Sequence, residues 1–197
     1  MKRFSVFIFA VAAFWICGNA QKAKVTAKDY VVDAGKNVVV SKTIEDLGLS
    51  SEDLLSLARK YFQDAYKETK YKIVQDDKEK QMVVGQGRYE NFLVMNAFPN
   101  AYYLCADFYV RIDIKEGRAR ISLYVNKYSG QRQNGNITGV IDDPIADFAP
   151  LNTKNSTNKR LYSKAFPTLV ERLKNTLAEV EQTIRQNASA YGNSADW

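Results

Sequence analysis

Between Tyr102 and Ile114 apolar and polar side chains alternate without a break. Tyr102, Leu104, Ala106, Phe108, Val110, Ile112 and Ile114 fall on one side, and Tyr103, Cys105, Asp107, Tyr109, Arg111 and Asp113 on the other. A period of two belongs to a strand with one face against a core. Lys115-Glu116-Gly117 reads as a tight hairpin, with Gly117 free to take positive φ. The returning strand alternates too. Ala119, Ile121, Leu123 and Val125 take the apolar face, and Arg118, Arg120, Ser122, Tyr124, Asn126 and Tyr128 the polar one.

Upstream, Val38, Val39, Val40, Thr43 and Ile44 form a β-branched run that predicts a strand ended by Gly48. Ser50 stands where a helix N-cap belongs, with Glu52 and Asp53 in the first turn, where carboxylates suit the positive end of the helix dipole. Leu54, Ala58, Tyr61 and Ala65 recur at helical spacing, so a helix is expected from about Ser51 to Tyr66. Two more strands follow, Tyr71–Gln75 and Gln81–Tyr89, joined by a charged turn. Gly85 and Gly87 inside the second mark a bulge or a close backbone approach. Phe92-Leu93-Val94-Met95 with Phe98 is apolar but irregular and reads as core capping the sheet edge. Residues 129–160 show no periodicity and are expected to form one long loop. Phe166, Leu169, Leu173, Leu177, Val180 and Ile184 then define an amphipathic helix from about Ser163 to Arg185, with Pro167 in its first turn.

The order strand, helix, four strands, helix predicts a two-layer α+β domain. Its sheet is antiparallel in a β-α-β4-α order, with both helices on one face. The domain spans 36–186, after a polar lead-in at 21–35 and before a flexible tail at 187–197.

The ends and the composition narrow the setting. Lys2 and Arg3, the apolar run Phe4–Ile16 and the small-residue exit Gly18-Asn19-Ala20 read as a signal peptide over 1–20, cleaved after Ala20. That run is too short to span a bilayer. The protein is therefore expected to be exported, periplasmic or secreted, with no transmembrane segment in the mature chain. Cleavage before Cys17 would instead give a lipoprotein, but Ile16 is a poor residue to precede a lipidated cysteine. Losing Lys2 and Arg3 lowers the formal charge from +6 to +4, a mild value that alone does not argue for nucleic acid, which an exported protein rarely meets. Cys105 remains as the single mature cysteine, which excludes an intramolecular disulfide. The chain has no histidine, which removes histidine-based triads and the zinc motifs built on paired histidines.

The segments LGLSSEDL, GQGRYENF, YYLCADFYVRIDIKEGRARISLY and DDPIADFAP, set among these elements, resemble a bacterial family described only as a domain of unknown function with a TBP-like fold. The resemblance covers roughly residues 37–186. It implies an exported protein of Gram-negative anaerobes and the same β-α-β4-α order, and it brings no catalytic residues.

Candidate chemistry gathers on the sheet face away from the helices. Tyr103, Tyr109, Arg111, Arg118, Arg120, Tyr124 and Tyr128 would offer rings for stacking and guanidiniums for anionic groups. The alternative is a solvated face with cross-strand pairs such as Asp113 with Arg118 or Arg120. Asp142, Asp143 and Asp147 suggest calcium, but the EF-hand spacing is absent and a solvated turn is the simpler reading. Cys105 reads as an inert strand thiol, and Glu90 and Asp107 lack a diagnostic catalytic spacing. No metal or cofactor is expected. The expectation is a non-enzymatic binding domain of the cell envelope, whose partner is an envelope protein, a glycan or a small apolar ligand. The alternative is a carrier holding a hydrophobic molecule between the last helix and the sheet.

Overall fold

The computed structural model describes residues 25–69, 72–145 and 159–194. The expected signal peptide at 1–20 and residues 146–158, Asp147 among them, lie outside the described residues. In chain order the elements are β1 (Val31–Val32), β2 (Val38–Ile44), α1 (Ser51–Thr69), β3 (Lys72–Asp77), β4 (Met82–Ala97), β5 (Asn100–Lys115), β6 (Arg118–Val125), β7 (Lys127–Asn134), β8 (Ile137–Pro144) and α2 (Lys159–Ser194).

All eight strands join one antiparallel sheet. Its axis is β5, which β4 flanks along nearly its whole length, with β3 beyond it. The other side of β5 is shared. Its Tyr109–Lys115 half pairs with β6, and its Asn100–Cys105 half with β7. Outside β6 lie β2 and then β1, and outside β7 lies β8.

The alternation seen in the sequence decides which face is covered. Leu104, Ala106, Phe108, Val110, Ile112 and Ile114 of β5 are buried, as are Ala119, Ile121, Leu123 and Val125 of β6. Leu54, Leu55, Ala58, Tyr61 and Phe62 of α1 and the whole expected stripe of α2 are buried with them in one core. At the start of α1 the Asp53 amide donates to Ser50 Oγ at 3.2 Å, and the Ser50 hydroxyl donates to the Asp53 carboxylate at 2.6 Å. The hairpin turn takes Gly117 to φ +65, and Glu116 reaches across to accept from the Ser51 amide at 3.2 Å. Gly85 marks a close approach: a Cβ there would lie 2.4 Å from the ring of Phe62.

Several expectations need correction. Residues 129–144 are not a loop but most of the β7–β8 hairpin, which extends the sheet beside β5. β4 runs on through the irregular apolar segment to Ala97. There Phe92 and Met95 join the core while Phe98 is fully exposed. The lead-in contributes β1, and Tyr30 packs edge-on against Phe166 with ring centroids 5.0 Å apart. α2 starts before Ser163, which puts Pro167 inside it, and continues to Ser194, so residues 187–194 are helix rather than loose tail. Ala188 is buried, and the Tyr191 hydroxyl donates to Asp53 at 3.0 Å.

Two insertions break the ladder around β5. From Tyr109↔Tyr124 to Cys105↔Ser129 the chain takes four steps on β5 and five on its partner, so one residue is extra near Asn126–Lys127. A single insertion reverses which side chains face the core. On the other flank, Tyr89↔Ala106 and Leu93↔Leu104 enclose four steps on β4 against two on β5. This wider bulge holds Glu90, Asn91 and Phe92, with Asn91 at φ +43.

Candidate functional site

The first insertion moves one of the seven candidate residues off the site. Tyr128 was expected on the open face. It is fully buried on the helix side, stacked on Tyr162 with ring centroids 5.0 Å apart and on Phe92 at 6.2 Å. Its β8 neighbour Asp143 accepts a hydrogen bond from the Tyr162 hydroxyl. Burial pushes both phenols above their ordinary titration range, and for Tyr162 the Asp143 carboxylate adds to the effect. Asp142, one residue earlier, faces the other way and binds Lys127 at 2.7 Å. The two described carboxylates of the calcium candidate therefore lie on opposite faces of β8 and cannot share one ion. Among the described residues no group of three potential ligands is placed to hold a metal.

The other six candidates lie on the face away from the helices. Tyr109 and Tyr124 are directly opposite each other, and Tyr109 is 38% exposed. Arg120 stands opposite Asp113 and reaches it at 3.4 Å, while Arg111 binds the same carboxylate at 2.6 Å. The Asp113 hydrogen bond holds the Arg111 guanidinium more firmly protonated. Arg118 is exposed beside the turn. Tyr103 lies at the far end of the face, level with Val94 on β4 and Gln131 on β7.

Between these ends, beside the two insertions, the face is hollowed into a concavity of about 660 Å3. Arg88, Glu90 and Asn91 edge it from β4, Tyr103 and Cys105 from β5, and Lys127, Ser129, Gln131, Gln133, Val140 and Asp142 from the hairpin. Arg88 donates to both oxygens of Asp107 at 3.0 Å and to Glu90 at 2.8 Å. The Cys105 thiol donates to Glu90 at 3.2 Å, and Sγ accepts from the Asn91 amide at 3.3 Å. Burial, then the Glu90 carboxylate, pushes this thiol up, opposed by the Asn91 amide. The Ser129 hydroxyl has no hydrogen-bond partner among the described residues.

Most of these residues escaped the sequence reading. Arg88 was visible in principle, because Gln86 and Arg88 share one side of β4, opposite the open-face residues Tyr109 and Asp107. The hairpin residues carried no such signal. Every described strand lies in the sheet and both helices pack on its other face, so no described element crosses this one. On the helix side, a hollow of about 370 Å3 between α2 and β4 is edged by Arg88, Arg172, Asn175, Thr176 and Glu179. The Tyr89 hydroxyl bonds Thr176 across it at 2.7 Å. Its lining mixes the stacked rings of Tyr89 and Phe108 with charged and amide groups, unlike the predominantly apolar wall of a typical lipid pocket.

No protein-family model and no curated protein matches the chain. Two solved structures do. A DUF4468 family protein from Bacteroides ovatus is 17% identical, with a TM-score of 0.57 over 80% of this chain and 91% of that one. A TBP-like protein from Parabacteroides distasonis is 15% identical, with a TM-score of 0.53 over 78% of this chain and 97% of that one. Together with the antiparallel sheet and its two helices on one face, these likenesses give the chain the α+β, TBP-like fold that the sequence resemblance implied.

Proposed function

We propose that the chain is a non-catalytic binding domain of the bacterial cell envelope, exported by its N-terminal signal, with the open sheet face as its contact surface. The observation that carries this reading is the concavity on a face that no described element covers. Side chains there are arranged for contact rather than chemistry. Glu90 and Asp107 meet on one guanidinium, and neither has the apolar seclusion that makes a carboxyl a general acid. Among the described residues, burial and the Glu90 carboxylate outweigh the Asn91 amide and the Arg88 charge, which keeps the Cys105 thiol in its neutral, weakly nucleophilic form.

A photo-crosslinking amino acid at Tyr109 tests the reading in living cells, with the same group at Lys60 on the solvent side of α1 as control. Discrete adducts at position 109 that are absent at position 60, and that Arg120→Ala diminishes, are the expected outcome. Equal labelling at both positions would remove the open face as the contact surface.

A further inference from the structure

The concavity invites a narrower reading, which rests on the binding role just proposed. We infer that its ligand is an uncharged carbohydrate chain. Charge is the first argument. Two cations, Arg88 and Lys127, line the hollow, and each is already engaged: Arg88 by Asp107 and Glu90, Lys127 by Asp142. An anionic ligand would have to compete with these carboxylates, and a cationic one with the paired arginine and lysine. The cost of stripping either pair favours a ligand without net charge.

The second argument is what remains for a neutral ligand to touch. Gln131 and Gln133 are exposed on β7 and make no side-chain hydrogen bond among the described residues. Each amide offers both a donor and an acceptor, the combination that a sugar hydroxyl, itself donor and acceptor, can satisfy in either sense. The Asp142 carboxylate, which binds Lys127 through one oxygen, can accept from further hydroxyls.

The third is the register. Val94, Tyr103, Gln131 and Val140 stand in one row across β4, β5, β7 and β8. Val94 is 51% exposed and Val140 86%. The row therefore alternates apolar surface and a phenol ring with an amide over about 14 Å, at the usual strand spacing. The C–H faces of sugar rings can lie on Tyr103 and the valines while their equatorial hydroxyls reach the amides. A lipid would leave those amides unpaired, and a peptide strand would bind at an edge rather than across the pleat.

The purified chain is to be titrated by saturation-transfer NMR with maltohexaose, cellohexaose, xylohexaose and mannohexaose, and with oligogalacturonate as the charged counterpart. Binding of at least one neutral hexasaccharide is expected, changing less than about twofold between about 50 and 500 mM salt. Tyr103→Ala should weaken it about tenfold or more. The exposed pair Gln131→Ala/Gln133→Ala, which removes nothing from the core, should weaken it comparably. Binding of oligogalacturonate alone, no binding by any probe, or neutral binding indifferent to both variants would overturn the inference. Persisting crosslinks at Tyr109 in those cases would leave the contact face standing and refute only its carbohydrate specificity.

Discussion

Replacing Gly85 with alanine places a methyl group against the ring of Phe62. The new carbon would lie 2.4 and 2.5 Å from two ring carbons. Comfortable carbon contacts are about 3.5–4.0 Å, so ring or strand must yield by roughly 1 Å. Phe62 has no room to do so, being fully buried with Tyr61 edge-on at 5.2 Å. Overpacking of this kind costs about 1–3 kcal/mol. The alanine recovers about 0.4–1 kcal/mol by restricting the unfolded chain, since Gly85 does not need positive φ. A net loss of about 1–2 kcal/mol follows, which lowers Tm by about 2–8 °C in a chain of this size. Calorimetry of the single variants and of the combination with Phe62→Leu measures it. Leucine alone leaves a cavity worth roughly 1–2 kcal/mol, but in the Gly85→Ala background it makes room for the methyl. The double variant should therefore fall short of the summed losses by at least about 0.5 kcal/mol. Gly48→Ala is the control: φ is +66 and nothing lies within 4 Å, so its cost is conformational and Phe62→Leu leaves it unchanged. Additive losses, or a Gly85→Ala protein as stable as the parent, would refute the close approach.

Tyr128→Ala should cost about 3–5 kcal/mol and Tyr109→Ala no more than about 0.5 kcal/mol, read from guanidinium midpoints; equal costs would place the extra residue wrongly. Asp29 is held down to about 2, first by the Lys174 ammonium at 2.5 Å and then by the Thr26 amide and hydroxyl. A depressed carboxyl stabilises the fold above its ordinary range and loses that contribution as pH falls toward 2. NMR titration should show that midpoint and should show it rise in Lys174→Ala, whereas an ordinary midpoint in the parent would contradict the ion pair. Alkylation of Cys105 by iodoacetamide at neutral pH should run at least about tenfold slower in the folded than in the unfolded chain, and faster in Glu90→Gln; equal rates would deny its burial.

Regular patterning made much of this fold legible. Seven apolar residues from Tyr102 to Ile114 and six at helical spacing in α2 left little freedom in which face each element buries. Where both faces of a strand are polar, period two carries no signal. β7 has one buried apolar residue, Tyr128, and β8 has Ile141, while Ile137 and Val140 point to solvent. Glycines and amides over 129–139 therefore looked like a loop, although backbone pairing with β5 makes them sheet. Gly130 shows how tight that pairing is, since a Cβ there would meet the Tyr103 carbonyl oxygen at 2.0 Å. The helix that follows was placed well by its stripe and poorly at its ends, because Leu161, Tyr162 and Ala188 extend the stripe past the limits its strongest positions suggest.

The insertion near Asn126–Lys127 does more than hide one tyrosine. Had the alternation of β6 continued unbroken, Tyr128, Gly130 and Arg132 would face the open side, and Ser129, Gln131 and Gln133 the core. The hairpin end of the face would then carry a further tyrosine and a further arginine, a surface suited to anions. One extra residue exchanges the two sets. Tyr128 enters the aromatic stack with Phe92 and Tyr162, where its ring belongs energetically, and two exposed glutamines take its place on the open side. Arg88, Arg111 and Arg120 on the open side meet Asp107, Glu90 and Asp113 at ion-pair distance, while Arg118 stays exposed beside the turn. At the hairpin end of the face the chemistry thus shifts from a tyrosine and an arginine to two amides at a single backbone irregularity. Strand alternation alone would point to an anion rather than to the neutral carbohydrate inferred above.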